Sequence, residues 1–250
     1  MTHLNFETVG NPQHPSVMLL HGFMSSNAQW LANIDALSGS HHLVMVELWG
    51  HGQSPEQPDE NAYSTSRYIG EFERIRTSLG IARWAVIGQS YGAGLVIRYA
   101  LACADVITHV VVTNSRSAFG DVSTTRDGKP QPELRDPNLN LRELPFHPIN
   151  ARRFPEHIKS VLVASADAMS PETVRLSGRL GRSLNCMDVL GDVSAPVLIA
   201  NGVYEKVFQA DAETLRARYP TVDVVDMPGG HSVNIEAADA FNTAVVEFLV

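Results

Sequence analysis

Cysteine is scarce in this sequence of 250 residues, and long apolar runs are absent. Cys103 and Cys186, the only two cysteines, are too few for a disulfide framework or a zinc site, so we expect free thiols. Crossing a bilayer takes about 20 consecutive apolar residues, and no run approaches that length. The first residues also lack the basic and apolar parts of a secretory signal. We therefore expect a soluble cytoplasmic protein with no membrane partner.

The sequence also lacks an excess of basic residues, since 19 Lys and Arg stand against 27 Asp and Glu. The resulting formal charge of −8 argues against a nucleic-acid partner, which requires a basic surface. No GxGxxG dinucleotide fingerprint is present, and His41 and His42 lack the spacing of metal ligands. The sequence thus implies no cofactor and no metal.

Short runs rich in Val, Ile and Leu alternate with amphipathic stretches along most of the chain. Such alternation is typical of buried parallel strands joined by crossover helices. Six runs fit strands, and an alternating segment before them fits an edge strand: residues 16–22, 42–49, 83–89, 108–114, 196–202 and 222–229, preceded by 3–10. Helical patterns lie at residues 27–37, 66–79, 91–104, 208–219 and 237–249. We predict an α/β fold with a doubly wound, mostly parallel sheet of about seven strands.

The interval 116–195 interrupts this alternation, because no strand is evident there and its first part is crowded with Gly, Pro, Asp and Asn. We predict an inserted, mainly helical cap at 116–195 over a core formed by 1–115 and 196–250. A helical pattern at 155–169 places four residues on one face: Ile158, Val161, Leu162 and Ser165.

A second cap helix is predicted after Ser170-Pro171, an N-cap residue followed by proline at the first helical position. Three arginines lie on one face of this helix: Arg175, Arg179 and Arg182. The stretch from 116 to 190 has 11 basic and 9 acidic side chains, whereas the rest of the chain is acidic. The basic face either guides an anionic substrate to the site or is a solvated face whose charges pair with cap carboxylates such as Asp167 and Glu172.

The strongest chemical signal is GQSYG at residues 88–92, between a predicted strand and a predicted helix. A GxSxG turn in that context is a nucleophile elbow, which presents the serine hydroxyl at the edge of the sheet. Only small residues at Gly88 and Gly92 allow the strand and the helix to approach closely enough. Ser90 is therefore the predicted nucleophile.

A serine hydroxyl needs an adjacent base, and His231 follows the last predicted strand after two glycines. The third member of a triad is a carboxylate on the loop after the preceding strand, where Glu205 is the first candidate beyond Gly202. Asp121, after the strand at 108–114, is the alternative acid. The predicted catalytic residues are thus Ser90, His231 and Glu205.

An oxyanion hole requires two backbone N–H groups beside the nucleophile. We assign them to Tyr91, which follows Ser90, and to Phe23, in the loop after the first buried strand. His21 and His51 lie at neighbouring strand ends and are interpreted as parts of the scaffold rather than as catalytic groups.

Five pieces of this sequence, in order, resemble the α/β-hydrolase superfamily: HGF, WGHGQS, GQSYGAG, APVLIANGVYEK and PGGHSVNIE. The resemblance covers essentially the whole chain and implies a helical cap over the active site and a triad in the order Ser, acid, His. Two departures are the short segment before the first buried strand, where the family has a β-hairpin, and glutamate at Glu205, where aspartate is more common.

The resemblance implies hydrolysis of a carboxylic ester or lactone through an acyl-enzyme on Ser90, with a small acyl compound as substrate. A thioesterase or a carbon–carbon bond hydrolase would use the same triad. Epoxide hydrolases and haloalkane dehalogenases of this family use an aspartate nucleophile, so Ser90 argues against both. A ligand receptor with a vestigial triad is the alternative outside enzymes.

Overall fold

The computed structural model describes residues 2–120 and 140–250. Its strands form one sheet in the order β1-β3-β2-β4-β5-β6-β7, parallel except for β1, which pairs antiparallel with β3. The strands are β1 (Phe6–Val9), β2 (Ser16–Leu20), β3 (His42–Val46), β4 (Trp84–Gly88), β5 (Ile107–Thr113), β6 (Val197–Gly202) and β7 (Asp223–Met227). The predicted α/β fold with a mostly parallel sheet is confirmed.

Burial explains why the central strands have continuous apolar sequences and the edge strands do not. β3, β4 and β6 are buried along their whole length, whereas β1 and β7 at the two edges are partly exposed. The run at 42–49 is longer than its strand, because the chain leaves the sheet after Val46. Beyond the strand, the carboxylate of Glu47 accepts hydrogen bonds from the backbone N–H groups of Asn27 and Gln53 at 3.1 and 2.7 Å.

The helices connect the strands in regular alternation. They are α1 (Ile34–Ser38), α2 (Thr65–Ser78), α3 (Tyr91–Ala102), α4 (Arg116–Phe119), α5 (Glu156–Asp167), α6 (Pro171–Gly181), α7 (Gln209–Arg218), α8 (Val233–Glu236) and α9 (Ala238–Phe248). Short 3-10 turns are at Asn27–Trp30, Glu60–Ala62, Ala104–Val106, Leu141–Glu143, Pro148–Asn150, Leu190–Asp192 and Lys206–Phe208.

Apolar side chains fill both faces of the sheet, because successive residues of a strand point to opposite sides. On β2, Met18 and Leu20 pack in the cluster that α2, α3 and α7 cover. Val17 and Leu19 pack in the other cluster, with residues of α1 and α9. This double burial holds the carboxyl ends of the strands in fixed positions.

The helix predicted at 27–37 is not continuous, and this prediction was wrong. A 3-10 turn ends at Trp30, and α1 begins only at Ile34. Between them, the Asn33 side chain donates to the carbonyl of Asn234 and to Oδ1 of Asn242, both at 2.8 Å. These contacts with the C-terminal part of the chain override the local helical pattern.

In the cap, no strand occurs among the residues described from 116 to 120 and from 140 to 195. The helix predicted at 155–169 is present as α5, but its buried face is Ile158, Leu162 and Ala166, and Val161 is exposed. The buried line runs through residues four apart and leaves Val161, one of the four residues predicted to share a face, exposed. Most of the Gly- and Pro-rich stretch after Phe119 lies outside the described residues, and the division into core and cap at 116 and 195 stays a prediction.

The second cap helix, α6, begins as predicted. Ser170 caps it by accepting a hydrogen bond from the N–H of Thr173 at 3.1 Å, and Pro171 occupies the first helical position. Glu56, in the loop after β3, accepts hydrogen bonds from both hydroxyl groups, those of Ser170 and Thr173. This carboxylate fastens the start of α6 to the core.

Candidate active site

Ser90 occupies the turn between β4 and α3, with φ 51° and ψ −110°. A positive φ is strained for a residue with a side chain, and close packing around the turn maintains it. A Cβ on Gly88 would lie 2.5 Å from the carbonyl oxygen of Gly92, and one on Gly92 would lie 2.5 Å from that of Leu20. The Ser90 N–H donates to Oγ1 of Thr113 on β5 at 3.2 Å. The geometry is that of the nucleophile elbow predicted from GQSYG.

His231 lies in the loop after β7 and contacts the serine. Its Nε2 is 2.8 Å from Oγ of Ser90, and its Nδ1 is 3.0 Å from both carboxylate oxygens of Glu205. An ionised carboxylate only accepts hydrogen bonds, so Nδ1 of the neutral ring carries the proton. Nε2 then accepts a hydrogen bond from the hydroxyl group of Ser90. The structure thus brings together the three residues predicted to form a triad.

The loops after β6 and β7 are in direct contact, which sets the distance between the acid and the histidine. Tyr204 donates its N–H to the carbonyl of Gly229 at 2.8 Å. A Cβ on Gly202 would lie 2.0 Å from the carbonyl oxygen of Gly230, so only glycine fits there. The contact between the loops positions the largely buried carboxylate of Glu205 against His231 and accommodates the longer side chain of glutamate.

Asn114 is a residue of the site that the sequence analysis missed. It follows β5 and is fully buried, and its Nδ2 donates to Oε2 of Glu205 at 3.0 Å. The same amide donates to the carbonyl of Gly202 at 3.0 Å and accepts from its N–H at 2.8 Å. Its position directly after a buried strand, at the edge where Ser90 lies, is the signal that would have found it. The alternative acid, Asp121, lies outside the described residues.

The two residues predicted to supply the oxyanion donors, Phe23 and Tyr91, contact each other through their side chains. The rings of Phe23 and Tyr91 stack with centroids 5.9 Å apart. Within the described part of the chain, neither backbone N–H donates to another group. Tyr91 is also the first residue of α3, so its N–H belongs to the positive end of a helix dipole. Both N–H groups are available to an anionic oxygen, and their role stays a prediction.

The scaffold role predicted for His21 and His51 is confirmed, because both rings are buried and hold backbone groups. His21 accepts from the N–H of Leu48 at 3.1 Å, and His51 accepts from the N–H of Met24 at 3.3 Å. Burial lowers the pKa of His21 to about 4 and that of His51 to about 3. Both rings are neutral at pH 7, and the His51 contact fixes Met24 at φ 53°, directly after Phe23.

A cavity of about 420 Å³ opens onto Ser90 and His231. Its wall combines the core with residues 145–154 of the cap. Aromatic side chains from both parts line it: Phe23, Phe146, Phe154 and Tyr204. The rings of Phe23 and Phe146 meet with centroids 5.1 Å apart, which joins cap to core beside the serine.

The predicted basic face on α6 is largely paired. Arg175 binds Glu172 through two hydrogen bonds of 2.8 and 2.6 Å, and Arg179 lies 2.9 Å from Glu60 in the core. Arg182 is the C-cap of α6, and none of these three arginines lines the cavity. For Arg175 and Arg179 the contacts match the pairing alternative rather than a face open to substrate.

A model of the alpha/beta hydrolase fold family matches residues 15–238. The chain belongs to this family. Solved structures with the same fold include an esterase from Exiguobacterium antarcticum, with a TM-score of 0.81, 18% identity and coverage of 99% of this chain and 96% of that one. The enol-lactonase from Burkholderia xenovorans LB400 has a TM-score of 0.75, 22% identity and coverage of 98% and 96%.

Among curated relatives, epoxide hydrolase 3 of Xenopus tropicalis is 27% identical over 173 residues. That match covers 67% of this chain and 46% of the relative, so the chain spans less than half of that protein. The relatives and the family together show that this protein is an enzyme of the α/β-hydrolase type. Over residues 2–120 and 140–250, no helix is long and apolar enough to cross a membrane.

Proposed function

We propose that this α/β hydrolase is a serine hydrolase that cleaves a carboxylic ester or lactone through an acyl-enzyme on Ser90. The observation that supports the proposal most strongly is the chain of contacts from Glu205 through His231 to Ser90, with distances of 3.0 and 2.8 Å. A serine hydroxyl hydrogen-bonded to an oriented imidazole is the arrangement that activates it as a nucleophile.

In the first half of the reaction, Oγ of Ser90 attacks the carbonyl carbon while Nε2 of His231 takes the hydroxyl proton. The negative charge on the carbonyl oxygen faces the N–H groups of Phe23 and Tyr91. The carbon–oxygen bond to the alcohol then breaks, and His231 gives its proton to the leaving oxygen. Glu205 stays ionised and stabilises the imidazolium.

In the second half, a water molecule loses a proton to Nε2 of His231 and attacks the acyl carbon. The bond to Oγ of Ser90 breaks, the proton returns to Oγ, and the carboxylic acid leaves. A lactone follows the same steps, with the alcohol and the acid released as one open-chain product. The cap segment 145–154 covers the cavity in which these steps occur.

A fluorophosphonate probe tests the nucleophile directly. We expect covalent labelling of the wild type and none of Ser90→Ala, measured by intact-protein mass spectrometry. An absence of labelling in the folded wild type would refute the serine hydrolase and favour a receptor with a vestigial triad.

The bond that is cleaved is tested with p-nitrophenyl esters of graded chain length, lactones and matching thioesters. We expect higher kcat/KM values for oxygen esters or lactones than for thioesters of the same acyl group. A reversed order would favour the thioesterase alternative, and turnover of 1,3-diketones alone would favour a carbon–carbon bond hydrolase. The cytoplasmic location stays a prediction that cell fractionation checks.

A further inference from the structure

Apart from the histidines, the charged side chains of the described residues that line the catalytic cavity are two carboxylates and two guanidinium groups. Both carboxylates are held by protein groups. Glu205 contacts His231, and Oε2 of Glu236 accepts the N–H of Gly230 at 2.9 Å. Arg153 donates to the same Oε2 at 3.3 Å. Neither carboxylate forms an ion pair with the second arginine of the wall, Arg152.

Arg153 is fixed in place by the core. Besides its contact with Glu236, its guanidinium carbon lies 5.1 Å from the ring centroid of Tyr204. Tyr204 precedes Glu205, and Glu236 accepts from the residue before His231, so Arg153 contacts the first loop of the triad directly and the second through Glu236. Arg153 therefore anchors the end of the cap segment 145–154 at the site and places its neighbour, Arg152, beside the cavity.

Arg152 lines the cavity next to Arg153, and its side chain is exposed. It forms no ion pair and no side-chain hydrogen bond with any residue in the ranges 2–120 and 140–250. A second cavity of about 450 Å³ shares this stretch of wall, including Asn150, Arg152 and Phe154, and is also lined by Glu156 and Lys159. Arg152 thus stands where the two cavities share a wall, with its positive charge available to a ligand.

We propose that Arg152 binds a carboxylate carried by the substrate, away from the scissile bond. The guanidinium fork matches a carboxylate with two parallel hydrogen bonds, and its charge persists at every pH at which the triad works. Of the other basic side chains in this part of the wall, Arg153 is paired with Glu236. His147 is buried, and burial lowers its pKa, so it supplies no competing positive charge at pH 7. The inference rests on the proposed ester hydrolysis and specifies its substrate as a half-ester of a dicarboxylic acid or a lactone with a free carboxylate.

The test compares substrates that differ only in a terminal carboxylate. The pairs are mono-p-nitrophenyl succinate with p-nitrophenyl butyrate, the glutarate with the valerate, and the adipate with the hexanoate. For at least one pair, Arg152→Gln should lower the ratio of kcat/KM, anionic over neutral, by about tenfold, chiefly through KM. Arg152→Lys should retain part of the ratio, because it keeps the charge and loses the fork.

Arg175→Gln is the matched control, since Arg175 is a cap arginine that pairs with Glu172 and does not line the cavity. It should leave the ratio unchanged. An unchanged ratio in Arg152→Gln for all three pairs, or an equal fall in Arg175→Gln, would overturn the proposal. Fluorophosphonate labelling of every variant separates this failure from failure of the hydrolase itself, because the probe reports on Ser90 without a carboxylate.

Discussion

Replacing Glu205 by glutamine is the sharpest test of the triad, because it removes the charge and keeps the size of the side chain. Two donors point at the carboxylate: Nδ1 of His231 at 3.0 Å and Nδ2 of Asn114 at 3.0 Å. A carboxylate accepts from both, whereas a glutamine amide offers one accepting oxygen and one donating NH2 group. Oε2 accepts from both of these donors, and Nδ1 of His231 also lies 3.0 Å from Oε1, so the two orientations of the amide differ in what the NH2 group faces.

Either orientation of the amide weakens the base. With its oxygen at the Oε1 position, the NH2 group faces the Nδ2 donor of Asn114. With its oxygen at the Oε2 position, the amide keeps both hydrogen bonds. In either orientation the imidazolium loses its counter-charge. We expect kcat to fall by about 10³- to 10⁴-fold, less than the loss of about 10⁶-fold expected on removing the serine or the histidine.

The assay is steady-state hydrolysis of the best p-nitrophenyl ester, with thermal unfolding by circular dichroism to verify the fold. Glu205→Asp retains the charge on a shorter side chain and should keep more activity than Glu205→Gln. Asp121→Asn is the second control, because Asp121 is the alternative acid from the sequence. Activity of Glu205→Gln within tenfold of the wild type, or a larger loss in Asp121→Asn, would refute Glu205 as the acid.

Three further predictions concern the serine–histidine pair, the elbow and a buried histidine. Ser90→Ala, His231→Ala and the double variant should show nearly equal losses of kcat, whereas additive losses would contradict a shared proton transfer. Gly92→Ala places a Cβ 2.5 Å from a backbone oxygen of β2 and should lower the unfolding free energy in urea by about 2–3 kcal/mol, while the control Gly70→Ala, with no atom within 4 Å, should not. Burial lowers the pKa of His21 from 6.5 to about 4, so the unfolded chain binds a proton there before the folded one as pH falls below 6.5. This group should reduce the unfolding free energy by about 2 kcal/mol between pH 7 and 5, and an imidazole NMR titration of the folded protein with a midpoint near 6.5 would contradict it.

The elbow was predictable from sequence because its determinants are local. A buried strand, two glycines around Ser90 and an apolar helix are adjacent in the chain, and the steric requirement at Gly88 and Gly92 follows from that adjacency. His231 and Glu205 were predictable from their order and from their positions after buried strands. The structure confirms the fold that this pattern implied and brings the three side chains into contact.

The missed features depend on partners that are distant in sequence. The helical pattern at 27–37 is interrupted because the Asn33 side chain hydrogen-bonds near the C-terminus, more than 200 residues away. Asn114 looks like an ordinary polar residue at a strand end until β5 and β6 are placed side by side. Val161 fits an apolar face by spacing, yet α5 buries the neighbouring line through Leu162. No local pattern encodes these contacts.

The contacts of the cap arginines, rather than their number, determine which of them could attract an anionic substrate. The cap arginines that form ion pairs include Arg142 with Asp167 of α5, Arg175 with Glu172 of the same helix, and Arg179 with Glu60 of the core. Exposed pairs of this kind contribute little to stability, but they leave those arginines no net field to attract an anion. Arg152 differs because it lines the cavity and the nearby carboxylates of the wall are held by Arg153, Gly230 and His231. Selectivity for an anionic substrate would therefore arise from one side chain beside Ser90, and it should survive moderate salt better than long-range attraction by a basic helix face, because a direct contact is screened less than a distant charge.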